Sequence, residues 1–221
     1  MMNETREIQS FNKISFRDFG TLILTQGERE FLTIDADQDI LSELVSEVRG
    51  ETLVLGVDED WINRIGKVIS SVISNEEHKV TYHLTFVDLS QIKINGKCTL
   101  KCDSITAKDL DLKVSGLGNM VIKEMDCDSL ETNVSGRGDI IISGRAGHQK
   151  IRISGSADYN APDLESSSAR IIISGQGNAT VRVQDDLDIT ISGLGQVNYY
   201  GQPKIHQVIS GFGKSKRLNE T

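Results

Sequence analysis

The sequence predicts an all-β fold: a right-handed parallel β-helix with 18–20 residues per coil, preceded by a less regular β region carrying one short helical insertion. Three observations lead there. Seven times between Ile94 and Lys214 a β-branched residue is followed by Ser, once Asn, and then by Gly. Those glycines, Gly96, Gly116, Gly136, Gly155, Gly175, Gly193 and Gly211, advance by 20, 20, 19, 20, 18 and 18 residues, the mark of a solenoid. Residues two and four before each Gly are nearly all apolar and those between are mostly polar, which is the period of a half-buried strand. Strands recurring at this spacing cannot form hairpins within their own repeat, but stacking in parallel on the next coil buries the inner face that a lone coil would expose. Parallel connections of this kind run right-handed.

One domain is expected over residues 6–218, with the less regular part at 6–90 and the regular coils at 91–218. In the first part, Phe11 to Phe16, Thr21 to Thr25 and Phe31 to Ile34 read as strands, with Gln26-Gly27-Glu28 as a turn. Thr52 to Leu55 follows a turn at Arg49-Gly50-Glu51, and Val80 to Phe86 leads into the repeats. Between them Trp61, Ile62, Ile65, Val68, Ile69, Val72 and Ile73 fall at helical spacing behind the acids Asp58, Glu59 and Asp60. That predicts a helix near 58–74, although the Val and Ile content leaves a strand open.

Within the coils, one inner column holds Ile94, Val114, Val134, Ile153, Ile173, Ile191 and Ile209, and a second holds Ile92, Leu112, Thr132, Ile151, Ile171, Ile189 and Gln207. After the corner a second strand begins, with Leu100, Met120, Ile140, Tyr159, Ala179, Val197 and Ser215 in one inward column. The last coil turns polar at Ser215, Lys216 and Arg217, so a blunted C-terminal end is expected. Gly at each corner is expected to supply positive φ, and Ser before it to bond turn backbone.

Composition excludes several classes. With 32 acidic and 24 basic residues, the net charge of -8 argues against a nucleic-acid partner. No stretch of eighteen apolar residues is present to span a membrane. The chain opens Met1-Met2-Asn3-Glu4 without an apolar leader, so either a signal was removed or there was none. Cys98 and Cys102 lie about 13 Å apart along one predicted strand, too far for a disulfide. With Cys127 they are expected to be buried free thiols, and the four histidines have no metal-ligand spacing. No pattern calls for a cofactor. Ser-Gly-x-Gly recurs in register without a following helix or Lys-Ser/Thr pair, so it reads as a corner device and not a phosphate loop.

The opening Arg6-Glu7-Ile8-Gln9-Ser10-Phe11-Asn12-Lys13-Ile14, then Leu24-Thr25-Gln26-Gly27, and the repeats of the type Val114-Ser115-Gly116-Leu117-Gly118-Asn119 carry a resemblance. From about Arg6 to Leu218 the chain resembles a bacterial family known as the putative auto-transporter adhesins with a head GIN domain. The resemblance implies a β-helical fold, often on secreted or envelope-attached proteins, and no catalytic residues. The sequence departs from the family in opening without a leader and in the segment from Asp58 to Ser74.

Four groups of residues are candidates for function, the last of them the tail Lys214-Ser215-Lys216-Arg217, which is too short for nucleic acid and reads as a solvated cap. Stacking places Gln91, Asp111, Glu131, Lys150, Arg170, Asp188 and His206 in one outward row and Lys93, Lys113, Asn133, Arg152, Ile172, Thr190 and Val208 in the next. Asp111, Lys113, Glu131, Lys150, Arg152 and Arg170 are therefore candidates to bind a surface glycan or protein. Asp111 and Glu131, about 5 Å apart on adjacent coils, approach the separation used by retaining glycosidases. Their cationic neighbours favour ionised, salt-bridged carboxylates over a proton donor. Asp139 above Asp158 is a candidate cation site, because two such carboxylates repel by about 3–4 kcal/mol at an effective dielectric near 20. Splaying into water or pairing with Arg137 offers the same relief. Trp61, Ile62, Ile65 and Ile69 would either cover one end of the solenoid or bind a partner, a second copy in a closed dimer included. The reading is a non-enzymatic structural or adhesion-type binding module of a bacterial envelope. A carbohydrate-active β-helix and a self-associating scaffold are the alternatives.

Overall fold

The computed structural model describes residues 2–57 and 79–219. Trp61, Ile62, Ile65 and Ile69, and the helix expected near 58–74, lie outside the described residues. The strands are β1 (Met2–Arg6), β2 (Lys13–Phe16), β3 (Phe19–Gln26), β4 (Phe31–Ala36), β5 (Leu44–Arg49), β6 (Thr52–Val57), β7 (Thr81–Phe86), β8 (Gln91–Ile94), β9 (Lys97–Val114), β10 (Leu117–Val134), β11 (Arg137–Ile153), β12 (Ser156–Ile173), β13 (Gln176–Ile191), β14 (Leu194–Tyr200), β15 (Lys204–Ile209) and β16 (Phe212–Arg217), with one helical turn, α1 (Gln38–Leu41). They form a parallel β-solenoid of about six turns.

The inner column before each corner runs in unbroken register from Phe16 through Ile94, Val114, Val134, Ile153, Ile173 and Ile191 to Ile209. All but Ile209 are buried. Each long strand bends where two consecutive residues face outward. In β10 the inward residues are Gly118, Met120 and Ile122, then Met125 and Cys127, then Leu130, Thr132 and Val134, so a coil is three straight runs around a dry lumen. The two outer runs match the columns expected from the repeat. The middle run was not expected. It stacks Ile105, Met125, Gly144 and Leu164 in one column and Ala107, Cys127 and Ala146 in the next. Pairing slips there, between Ile122 and Met125 and between Ile141 and Gly144, so this run absorbs the variation in coil length.

Corner glycines serve a purpose other than the expected one. Among the described residues positive φ occurs only at Gly20, Gly50, Gly144 and Gly201, none of them a repeat corner. The cause is proximity. A Cβ built on Gly136 would lie 2.1 Å from the Gly116 carbonyl oxygen, and one on Gly155 would lie 2.0 Å from that of Gly136. The coils meet there because Arg137 N–H donates to Gly116 O at 2.9 Å and Gly136 N–H to Val114 O at 3.1 Å.

At the N-terminal end, stacking order departs from chain order. The first coil, β2 and β3, lies between β6 and β7 on one side and β8 and β9 on the other. Beyond β7 the sheet continues antiparallel through β4 to β1, and beyond β6 through β5, so this end is closed by antiparallel strands. Neither β1 nor β5 was expected from the sequence. Arg6 fastens the closure by donating to the carbonyls of Leu41, at 3.0 Å, and Leu44. Inside, Phe16 meets Tyr82 edge to face at 5.4 Å. Asp18, which takes the corner position of this coil, is buried and accepts from the Tyr82 hydroxyl and from Phe19 N–H. Burial raises its carboxyl above the ordinary range despite those two bonds.

The C-terminal end is not blunted as expected. Ser215 donates to Gln207 across the lumen at 2.5 Å, which supplies a polar plug, yet every residue of β15 is exposed.

Candidate functional site

The regular stacking brings the outward charged rows together as aligned: Gln91, Asp111, Glu131, Lys150, Arg170, Asp188 and His206 are successive register partners. Side chains on this face are largely satisfied by one another. Asp111 is paired with Lys113 and accepts from Gln91 at 3.1 Å. Glu131 holds Arg152 at 2.7 Å, Lys150 at 3.0 Å and Asn133 at 3.2 Å. Arg170 holds Asp188 at 2.9 Å. Partial burial pushes the Glu131 carboxyl up, but the bonds from Lys150 and Asn133 and the charges of Lys150 and Arg152 outweigh it and leave the group below the usual range. An acid held ionised in this way is a poor proton donor.

Asp139 and Asp158 are adjacent register partners, as the stacking required. Arg137 forms no ion pair with Asp139 among the described residues. Asp158 is instead held by Asn178, whose backbone N–H and side-chain amide both donate to Oδ1, at 3.2 and 2.9 Å. The same row repeats the device: Asn119 Oδ1 accepts from Asp139 N–H at 3.3 Å, and Asn178 Oδ1 from Gln196 N–H at 3.1 Å. These side chains brace one coil against the next. No group of three or more His, Cys, Asp or Glu residues able to hold a metal occurs among the described residues.

The three thiols are free and buried, and burial raises Cys98 to about 12 and Cys102 and Cys127 each to about 11. They are packing groups and not nucleophiles.

The row that holds Asp139 and Asp158 forms one wall of a long concavity. A groove of about 1280 Å³ runs along the solenoid just past the corners, from Phe19 and Val80 to Leu194 and Gly195. Crossing eight strands, it extends about 34 Å at the ordinary strand spacing. One side is formed by Leu117, Arg137, Ser156, Gln176 and Leu194, the other by Thr99, Asn119, Asp139, Asp158 and Asn178. Between them the floor is the backbone of Cys98, Gly118, Gly138, Ala157, Gly177 and Gly195. These residues carry little or no side chain, and a Cβ on Gly138, Gly177 or Gly195 would lie 1.8–2.0 Å from a carbonyl oxygen of the neighbouring coil. A Cβ on Gly118 would already lie 3.0 Å from a Val114 methyl. The second Gly of Ser-Gly-x-Gly was the available signal.

No helix among the described residues is long and apolar enough to cross a membrane. A search of curated proteins finds no match. Solved structures do match. A putative adhesin from Bacteroides fragilis superposes with a TM-score of 0.88 at 23% identity, covering 98% of this chain and 96% of its own. A protein from Parabacteroides distasonis, described as a putative lipid binding protein, gives 0.73 at 18% identity over 99% and 96%. A putative adhesin from Parabacteroides merdae gives 0.68 at 19% over 99% and 96%. At these identities the likeness establishes the fold. Residues 10–203 match the family described as putative auto-transporter adhesin, head GIN domain, and the chain belongs to that family.

Proposed function

We propose that the chain is a non-enzymatic binding module of a bacterial envelope that holds an extended, largely neutral glycan along the groove past the corners. One observation carries this reading: a continuous concavity of about 1280 Å³ is lined from coil to coil by side chains that include hydroxyls, amides, carboxylates and cations. A glycan laid parallel to the solenoid axis advances by about one strand spacing per sugar, so successive units face successive coils. Leu117 and Leu194, both half-exposed, offer apolar patches to the faces of sugar rings. Such a ligand lies across the strands and needs no free strand edge. The charged face at Asp111, Lys113, Glu131, Lys150, Arg152 and Arg170 is a weaker candidate because its ion pairs must be broken before its charges can serve a ligand. A catalytic role for Asp111 and Glu131 is disfavoured on the same ground.

The test is a neutral-polysaccharide pull-down and glycan array with the wild type, with a groove triple variant (Leu117→Asp, Gln176→Ala, Leu194→Asp) and with a face triple variant (Lys113→Ala, Lys150→Ala, Arg152→Ala). Binding lost in the groove variant and kept in the face variant supports the reading. The reverse pattern, or release of reducing ends from a bound glycan, overturns it.

A further inference from the structure

The two ends of the solenoid differ. Antiparallel strands close the N-terminal end, whereas at the C-terminal end, among the described residues, β15 pairs only with β13 and β16 only with β14. Their outer edges present unpaired backbone groups. Ser210 N–H donates to Ile191 O and Phe212 N–H to Gly193 O. Because donors alternate along a parallel ladder, the N–H groups of Ile205, Gln207, Ile209, Gly213, Ser215 and Arg217 point to the open side.

Apolar side chains accompany this edge. Phe212 is 87% exposed, Val208 59%, Ile205 41% and Ile209 37%, although Ile205 and Ile209 continue columns that are fully buried one coil earlier. The charge is also local. Residues 189–219 contain Lys204, Lys214, Lys216 and Arg217 and no acid, so the remaining 20 basic and all 32 acidic residues of the chain lie elsewhere.

We propose that the C-terminal coil is an acceptor edge for an extended acidic polypeptide segment of another protein, which adds as a further strand on β15 and β16. A strand satisfies the free backbone donors and carries the Ile205 and Ile209 columns one step further, and acidic residues on its outward side answer Lys204, Lys214 and Lys216. A bilayer would leave the backbone groups without partners. A second copy docked by the same end would set these cations against their like. The inference stands apart from the glycan groove and does not depend on it.

The experiment is fluorescence anisotropy with a labelled heptapeptide of alternating Asp and Ile or Val, and a control in which Lys replaces Asp. Two variants accompany the wild type: Gln207→Pro, which deletes an outward donor without touching the ladder to β13, and Lys214→Glu with Lys216→Glu. Circular dichroism confirms that each retains the fold. Expected is saturable binding of the acidic peptide, at least about tenfold weaker in each variant and weakened by salt, with no binding of the basic control. Equal binding of the two peptides, or unchanged affinity in Gln207→Pro, overturns the proposal. So does a wild-type dimer that Lys214→Glu with Lys216→Glu strengthens, or flotation with phosphatidylserine vesicles that Gln207→Pro leaves intact.

Discussion

The corner glycines give the sharpest prediction, because they are set by clearance and not by backbone conformation. In Gly136→Ala the new methyl meets the Gly116 carbonyl oxygen at 2.1 Å and Ser115 backbone atoms at 2.6 Å, and neither belongs to a flexible side chain. Reaching ordinary contact requires the two coils to part by about 1 Å, an overpacking cost of about 1–3 kcal/mol. The same movement stretches the bonds from Arg137 N–H to Gly116 O and from Gly136 N–H to Val114 O, each worth about 1 kcal/mol. The total is about 3–5 kcal/mol, which for a chain of this size lowers Tm by roughly 6–20 °C. Gly50→Ala is the control. Gly50 has a φ of +63° with nothing within 4 Å of an added Cβ, so only the left-handed backbone penalty of about 1–2 kcal/mol applies. Thermal unfolding followed by circular dichroism checks both variants. If Gly136→Ala melts no lower than Gly50→Ala, clearance is not what fixes glycine at the corners.

Three further outcomes are expected. Glu131→Gln should cost about 0.5–1 kcal/mol at pH 7, as a partly exposed ion-pair network does. Because the folded carboxyl lies below its ordinary value, that stability is present above the unfolded value and lost as pH falls through the folded one, so the variant and wild type should converge in urea titrations near pH 3. Asp18→Asn should do the opposite. A raised folded value contributes stability only below the unfolded value and loses it as pH rises, so an amide whose Oδ1 still accepts from Phe19 N–H and whose Nδ2 donates to the Tyr82 oxygen should gain about 1 kcal/mol at pH 7 and nothing at pH 3, read as Tm at the two pH values. Finally, Cys98, Cys102 and Cys127 should resist a thiol-reactive chromophore in the native protein and react fully in denaturant. Rapid native labelling of any of them would contradict its burial.

Legibility from sequence followed repetition. The columns before and after each corner were readable because one residue type recurs at one offset, as Val114, Val134, Ile153 and Ile173 do. The middle run was not, because its column passes from Met125 to Gly144 to Leu164, and a large residue on one coil compensates for a small one on the next. Its position relative to the corner also drifts, since the bulges there take up the difference between 18 and 20 residues. At the N-terminal end the corner reads Arg17-Asp18 and not Ser-Gly, which concealed a coil from any search for the repeat. Its insertion between β6 and β8 is a long-range pairing that no local pattern encodes.

The groove shows why the candidate site was harder to read than the core that forms it. Ser-Gly-x-Gly reads as a single turn motif, and both of its glycines answer to clearance: a Cβ on Gly138, Gly177 or Gly195 would lie 1.8–2.0 Å from a neighbouring coil's carbonyl oxygen, as close as at the corners. The seven repeat corners are all Gly, while Asp18 takes the corner of the first coil. The position two residues on admits Cys98 and Ala157, so it tolerates a small side chain while keeping the backbone deep. The outward residues on either side of it, Leu117, Arg137, Ser156, Gln176 and Leu194 against Thr99, Asn119, Asp139, Asp158 and Asn178, vary in chemistry because the lumen places no demand on them. On the proposed reading, selectivity for a ligand resides in those two rows, and exchanging residues within them should change what is bound while leaving the melting temperature nearly unmoved.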